Sequence, residues 1–418
     1  MKTIRAIKCA ALIGLLSVSS AVASAAESVQ DEMLETFVRL ARINSQSSKD
    51  SVSTYGQHLM ALELERTINE MLKDNPKAGS VCVSPTNYVY VTIRPNIKKP
   101  GNVLGISCHL DVTPEAPGGN IVPIVDTLDG HTIVRTDSTT LLGADDKCGV
   151  TISLQLIKEL LTNKKLKHGE VMFAFCPNED VGRAAEDIDT MYFNPDIIFD
   201  LDGPGGEVIT KSNFTARGFI VKFIARKAHP GDAKAERLGD AVAAAASYVS
   251  FFPIDTRPER TEGLEGYIHP WDFDVDSITG DVTVNTRVRY FDPKEGERFD
   301  KLLKDALAKV AADYPNVGVK VLFDGVQYDN VALSLRPEDF ELVEKAAATT
   351  GKKFRFADER GGTTASMFAA KGLKGGMCVF TGQHEIHSTR EYADLQEMEE
   401  CYNLMLEIIR NVPNLPAR

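Results

Sequence analysis

Val171-Met172-Phe173-Ala174-Phe175-Cys176-Pro177-Asn178-Glu179-Asp180 reads as a buried strand that runs straight into two adjacent carboxylates. The apolar run from 171 to 175 has strand length and no helical spacing. Two neighbouring acids at a strand end can face different tasks, one holding a cation and the other moving protons. Taken alone, such a pair is far more often an exposed acidic turn.

Working outward, residues 103–106, 197–201 and 377–380 repeat the pattern of an apolar run followed by polar chemistry. The first leads to His109 and Asp111, the second to Asp202, the third to His387. In open α/β sheets, sites lie beyond the carboxyl ends of the strands, so these endings are expected to converge. Between the strands, Val150, Leu154, Ile157 and Leu161 recur at helical steps, as do Met33, Phe37 and Leu40, and residues 393–409 read likewise. This alternation predicts an α/β fold with a mainly parallel sheet flanked by helices. Residues 214–325 follow another order, βαββαβ, which suits a small ferredoxin-like α+β sandwich. Because His387 lies beyond it, the segment is expected to be an insertion between two parts of one catalytic domain, 26–213 and 326–418.

A chain of 418 residues is long enough for two cores. Its apolar and charged fractions, 43% and 25%, are those of a folded soluble protein. At the amino end, Lys2, Arg5 and Lys8 precede an apolar run from Ala10 to Val18, and Ala23-Ser24-Ala25 follows. This is the pattern of a removable signal peptide over residues 1–25, too short in its apolar part for a membrane anchor. The sequence-based expectation is thus an exported enzyme, periplasmic or extracellular. Without those three basic residues, 44 positive and 59 negative side chains leave a net charge of −15. So acidic a chain is a poor partner for nucleic acid. Cys82, Cys108, Cys148, Cys176, Cys378 and Cys401 show no C-x-x-C spacing and read as free thiols, although three lie close enough to acidic or histidine motifs for a thiolate ligand to be weighed.

The chemistry accumulates along the chain: His109-Leu110-Asp111, Gly143-Ala144-Asp145-Asp146-Lys147-Cys148-Gly149, Glu179-Asp180, Asp202-Gly203, and His387 with Glu391 four residues on. Together with Thr140-Leu141-Leu142-Gly143, His229-Pro230-Gly231 and Thr261-Glu262-Gly263-Leu264-Glu265-Gly266-Tyr267, this set resembles the peptidase T family. That family belongs to the clan of two-zinc peptidases, aminoacylases and glutamate carboxypeptidases, and the resemblance runs over nearly the whole chain after residue 25.

The resemblance implies two Zn(2+) ions per subunit, with manganese or cobalt as alternatives at a nitrogen and oxygen site. It implies His109 and Asp202 on one ion, Asp180 and His387 on the other, and Asp145 bridging both, so that no thiolate ligand is needed. The choice of Asp145 over Asp146 rests on the family pattern. Glu179 would be the general base for a bridging hydroxide, and Asp111 the carboxylate that orients His109. A physical argument runs the same way: like charges about 4 Å apart repel by about 4 kcal/mol at an effective dielectric near 20, a cost that divalent cations remove.

Short peptides are the implied substrate, with release of the amino-terminal residue from tripeptides as the implied reaction. The alternatives are a carboxypeptidase or N-acyl amino acid deacylase of the same clan, or a peptide-binding protein without catalysis. By resemblance, His229 would polarise the substrate carbonyl, often across a dimer formed through the inserted lid domain, and Arg289 and Arg360 would clamp a peptide carboxylate. A capping histidine before Pro230 and a salt-bridged sheet arginine are the plainer readings. His58, His131, His168 and His384 match no partner motif and read as surface or core residues. Three features depart from the family: Asp180 where glutamate is usual, Thr364-Ala365 where Asp-Gly is usual, and a shorter stretch between His109 and Asp145.

Overall fold

The computed structural model of the protein describes residues 28–417. The segment read as a signal peptide, residues 1–25, lies outside them. In chain order the large unit begins with α1 (Val29–Ala41), α2 (Tyr55–Leu72), β1 (Gly79–Val83), β2 (Val89–Ile93), β3 (Leu104–His109), β4 (Ile124–Leu128) and β5 (His131–Arg135). It continues through α3 (Ala144–Thr162), β6 (Val171–Cys176), β7 (Ile197–Pro204) and β8 (Val208–Asn213). A second unit follows: β9 (Thr215–Ile224), α4 (Ala233–Glu236), α5 (Ala241–Phe251), β10 (Tyr267–Val275), β11 (Val282–Tyr290), α6 (Pro293–Asp313) and β12 (Gly318–Tyr328). The chain then returns through α7 (Pro337–Thr350), β13 (Arg355–Glu359), α8 (Thr364–Ala370), β14 (Gly376–His384), β15 (Tyr392–Asp394) and α9 (Leu395–Asn411).

Eleven strands form the large sheet, with the path β1-β2-β6-β3-β7-β14-β15-β5-β4 and with β8 and β13 beside it. Its centre is parallel, β6 with β3, β3 with β7 and β7 with β14, whereas both margins are antiparallel. The apolar runs of the sequence are these central strands. Phe173, Phe175 and Phe199 are fully buried there, each contributing roughly 1.5–3 kcal/mol of burial. Helices α1, α3 and α9 pack together against the sheet, their apolar stripes joining one core with Leu40, Leu154, Met398 and Met405.

The four-stranded sheet has the order β10-β11-β9-β12, the ferredoxin-like arrangement expected from βαββαβ. It owns a separate core built from Phe219, Val221 and Phe223 of β9, Tyr248 of α5, and Phe299 and Leu303 of α6. Asp292 caps α6, accepting the N–H of Lys294 at 2.9 Å, and Pro293 presets the first turn. Strand β12 runs to Tyr328, past the expected boundary at 325, because its pairing with β9 continues to Ala216.

The two crossings between the units are tied to each other. Asn330 Oδ1 accepts the N–H of Asn213, and Thr215 Oγ1 donates to Asp329 Oδ1 at 2.7 Å. Arg360, from the large unit, donates to the carbonyls of Gly263 and Glu265 and lies over the rings of Phe214 and Tyr267. Among the described residues no helix is long and apolar enough to cross a membrane.

Candidate metal centre

Every proposed ligand sits at or near an end of a regular element. His109 is the last residue of β3, Asp202 lies near the end of β7, and Asp180 follows the end of β6. Asp145 stands at the start of α3, where it and Asp146 depart from helical φ/ψ before the regular helix begins. Gly149 lets that first turn press onto β7: a Cβ there would meet the carbonyl oxygen of Leu201 at 1.9 Å. Hence Asp145 is delivered beside Asp202. His387 occupies the loop after β14 at φ +60°, an uncommon conformation for a non-glycine residue.

The chain brings all five together. Asp145 Oδ1 lies 2.8 Å from His109 Nε2, and its other oxygen, Oδ2, lies 3.3 Å from His387 Nε2. Asp202 Oδ1 stands 3.5 Å from His109 Nε2, and Asp180 Oδ1 stands 2.9 Å from His387 Nε2. The result is two ligand triads, His109-Asp145-Asp202 and Asp145-Asp180-His387, sharing the Asp145 carboxylate. Neither triad contains cysteine; among the described residues six cysteines are free and five of them are buried.

Burial makes this cluster electrostatically demanding. Burial pushes Asp180 up to about 7, with the Asp145 and Asp111 charges adding to the effect. Glu179 is raised well above the usual carboxylate range by burial and then by Asp202, Asp180 and Asp111. Burial would raise Asp145 too, but hydrogen bonds from His109 and His387 drive it below its ordinary value. In return His387 is pushed up to about 11 by its hydrogen bonds to Asp145 and Asp180. Asp180 Oδ2 is buried with no hydrogen-bond partner. An orphaned carboxylate oxygen in one of two linked nitrogen and oxygen triads is what a pair of divalent cations would satisfy. The residues present therefore fit a dinuclear centre.

The surrounding shell holds residues that sequence reading missed or described differently. Asp111 was expected to orient His109 through its carboxylate. Its backbone carbonyl is the closer partner, 3.1 Å from Nδ1, with Oδ1 at 3.4 Å, while the carboxylate accepts the N–H groups of Glu179 and Asp180. Glu391, quoted in the His387 motif without a role, accepts the N–H groups of Gly143 and Asp145 at 2.6 and 3.0 Å. Asp146 accepts the N–H of His109, and the fully buried Lys147 donates to the carbonyl of Ile43. Glu115 Oε2 lies 3.1 Å from His387 Nδ1, and Gln383 reaches Asp202; neither belongs to any motif.

The cleft over the triads, about 310 Å³, is lined by Glu179, Thr210, Glu359, Gly362, Thr363 and Ile386 among others. His229, Arg289 and Arg360 are not among its lining residues. His229 is exposed and caps a short turn by accepting the N–H of Gly231. Arg289 is buried, donates to the carbonyls of Arg217 and Val288, and faces a separate groove on the small sheet.

Residues 105–411 match the model of peptidase family M20/M25/M40. The chain belongs to this family. It is 30% identical to peptidase T of Clostridium perfringens over 414 residues, covering 91% of this chain and 98% of the relative. Peptidase T of Geobacillus kaustophilus is 29% identical with the same coverage. In fold, this M20 peptidase is similar to aminopeptidase PepT from Bacillus cereus and to a tripeptidase from Staphylococcus aureus. Each of those chains has a TM-score of 0.72 and 20% identity, with 92% of this chain covered and 98% and 99% of theirs. A dinuclear metal binding M20 peptidase from Bacillus subtilis shares the fold at a TM-score of 0.63 and 15% identity, covering 93% of this chain and 99% of its own. The protein is thus a metallopeptidase, and the expected family and fold class hold.

The expected localisation does not. Export rested on residues 1–25, outside the described residues. The relatives are peptidases T whose sequences are covered to 98%, so they carry little beyond the shared enzyme and lend export no support. The periplasmic or extracellular assignment is withdrawn.

Proposed function

We propose that this M20 peptidase releases the amino-terminal residue from short peptides, tripeptides foremost, at a pair of zinc ions with Glu179 as general base. The observation that carries the reading is the Asp145 carboxylate, whose two oxygens face His109 and His387 while Asp202 and Asp180 close the outer sides. The names of the relatives, peptidase T, favour the tripeptide substrate.

His109 and Asp202 would hold one ion, Asp180 and His387 the other, and Asp145 both. Bound there, the ions would lower the pKa of a shared water towards about 7 and polarise the scissile carbonyl. Glu179 lines the same cleft, where its carboxylate can accept a proton from water and return it to the leaving amine. Asp111 is a positioning residue: by accepting the N–H groups of Glu179 and Asp180 it sets base and ligand on one turn. With Asp180 shorter by one methylene than the family's usual glutamate, ligation depends on that turn coming close, and the 2.9 Å approach to His387 is consistent with it.

Residues 214–325 would act as the lid, coupled to the cleft through Arg360, which grips the 261–265 segment while its neighbours Glu359 and Gly362 line the site. His229 would serve the reaction only from a second subunit in a homodimer, and Arg289 only through the groove of the small sheet.

The test combines metal analysis of the purified full chain with cleavage of free and N-acetylated tripeptides. Two zinc equivalents and release of the first residue from the free peptide alone are expected. Cleavage of only the acetylated substrate would assign the centre to a deacylase instead, and a metal-loaded protein inert towards a peptide panel would support a binding role.

A further inference from the structure

Among the described residues, one further histidine and carboxylate cluster shares no residue with the two triads. His384 Nε2 is 2.9 Å from Glu397 Oε2, Asp394 lies beside them, and His131 Nδ1 is 2.7 Å from Asp394 Oδ2. Unlike Asp180 Oδ2, the oxygens that meet in this cluster have partners. Asp394 Oδ1 caps α9 by accepting the N–H groups of Gln396 and Glu397, and Glu397 Oε2 also accepts the N–H of Gly206 at 2.9 Å. With those oxygens engaged, the cluster has the character of a brace instead of a third cation site.

Its position gives the brace a purpose. His384 ends β14 three residues before His387, and Gly206 follows Asp202 by four residues. Glu397, in the first turn of α9, therefore holds the loop of one cation ligand by its backbone and the loop of another through an imidazole. The fit is close. A Cβ on Gly205 would meet His384 Cε1 at 2.0 Å, and Gly206 sits at φ +80°, so only glycines let this loop lie on the ring. Tyr392 stacks on His384 as well, centroids 4.6 Å apart and planes within 6°.

We infer that Glu397 and His384 are positioning residues that lock the turn after Asp202 to the loop of His387 and so set the separation of the two cation sites. The inference rests on the ligand assignment proposed above, since Asp202 and His387 serve opposite sides of Asp145. The charged groups facing His384 are Glu397, Asp394 and Glu385, and Glu397 faces His384 and His131. The hydrogen bond to Glu397 raises the His384 pKa; burial would raise Glu397, but His384 and the Gly206 N–H hold it low. The pair is charge-assisted when His384 is protonated.

Full-chain Glu397→Ala, Glu397→Gln and His384→Gln test the brace by zinc titration calorimetry, steady-state kinetics, and amide exchange of metal-free protein. In Glu397→Ala, two-ion stoichiometry is expected to persist, with the affinity of at least one ion down roughly 10- to 100-fold and kcat reduced more than KM is raised. Amides at 203–206 and 385–391 should exchange about tenfold faster without metal. Glu397→Gln keeps an acceptor for Gly206 and bonds best to neutral imidazole, so its defect should be largest at acid pH and shrink as pH rises, a profile that lost packing alone would not give. Should Glu397→Ala not fold, His384→Gln carries the same readouts. Unchanged exchange of both loops overturns the brace. A wild-type chain that takes up no zinc overturns the ligand assignment instead, and the metal-free exchange still decides the brace.

Discussion

Glu179 and Asp145 ask different things of a mutation, because one is proposed to move a proton and the other to hold two cations. Glu179→Gln keeps shape and backbone contacts, so folding and metal content should persist while turnover falls roughly 10²- to 10⁴-fold, the size of a general-base contribution. Steady-state rates at saturating peptide check this, and unchanged turnover would remove Glu179 from the chemistry. Asp145→Ala takes an oxygen from each triad at once, so metal analysis should find both ions lost; retention of one at full occupancy would mean that the carboxylate does not bridge. The five proposed ligands and Glu179 were legible because each lies at or just beyond the end of an apolar run or within a quoted motif. Glu115 was not, since only the fold brings it to His387 across 272 positions of sequence. The same limit applies to Arg289: its residue type and family match suggested a clamp, but nothing in the sequence foretold that nearby backbone carbonyls would take its N–H groups.

Among the elements, buried parallel strands and long amphipathic helices were readable, and the margins were not. Strand β4 is mostly exposed and β15 is three residues long, so neither carries an apolar run. They exist because β5 and β14 offer free edges to pair with. The helix expected over 393–409 starts at Leu395, since Asp394 is its cap and the preceding residues extend the sheet. That junction has a pH signature. His384 gains a partner in Glu397, which raises its folded-state pKa above the unfolded value of about 6.5. The stabilisation is therefore fully present below that value and is lost as pH rises through the folded pKa. Urea midpoints of wild type and His384→Gln, compared at a series of pH values, should differ most at the acid end and converge at the alkaline end; divergence with rising pH would reverse the assigned sign.

On the scale of the whole molecule, two large cores share one chain, but the cluster of buried carboxylates belongs to only one of them. The large core ends at the acid cluster, whereas the core of the small sheet is built from Phe219, Val221, Phe223, Tyr248 and Phe299 with no proposed ligand. Cation binding should consequently stabilise the two units unequally. Ligand present at 100 times its dissociation constant adds about 2.7 kcal/mol to the state that binds it. Removing the ions withdraws that term and leaves Asp145, Asp180 and Asp202 to be balanced by protons and imidazolium alone. Treating the full chain with a chelator should therefore abolish peptide cleavage and speed amide exchange at the ends of β3, β6, β7 and β14. Exchange across β9, β10, β11 and β12 should change little, because Arg360 and the Asn213–Asn330 contact join the units without passing through a ligand. Equal acceleration in both sheets would mean that the units unfold as one and that the small unit owes its stability to the cations as well.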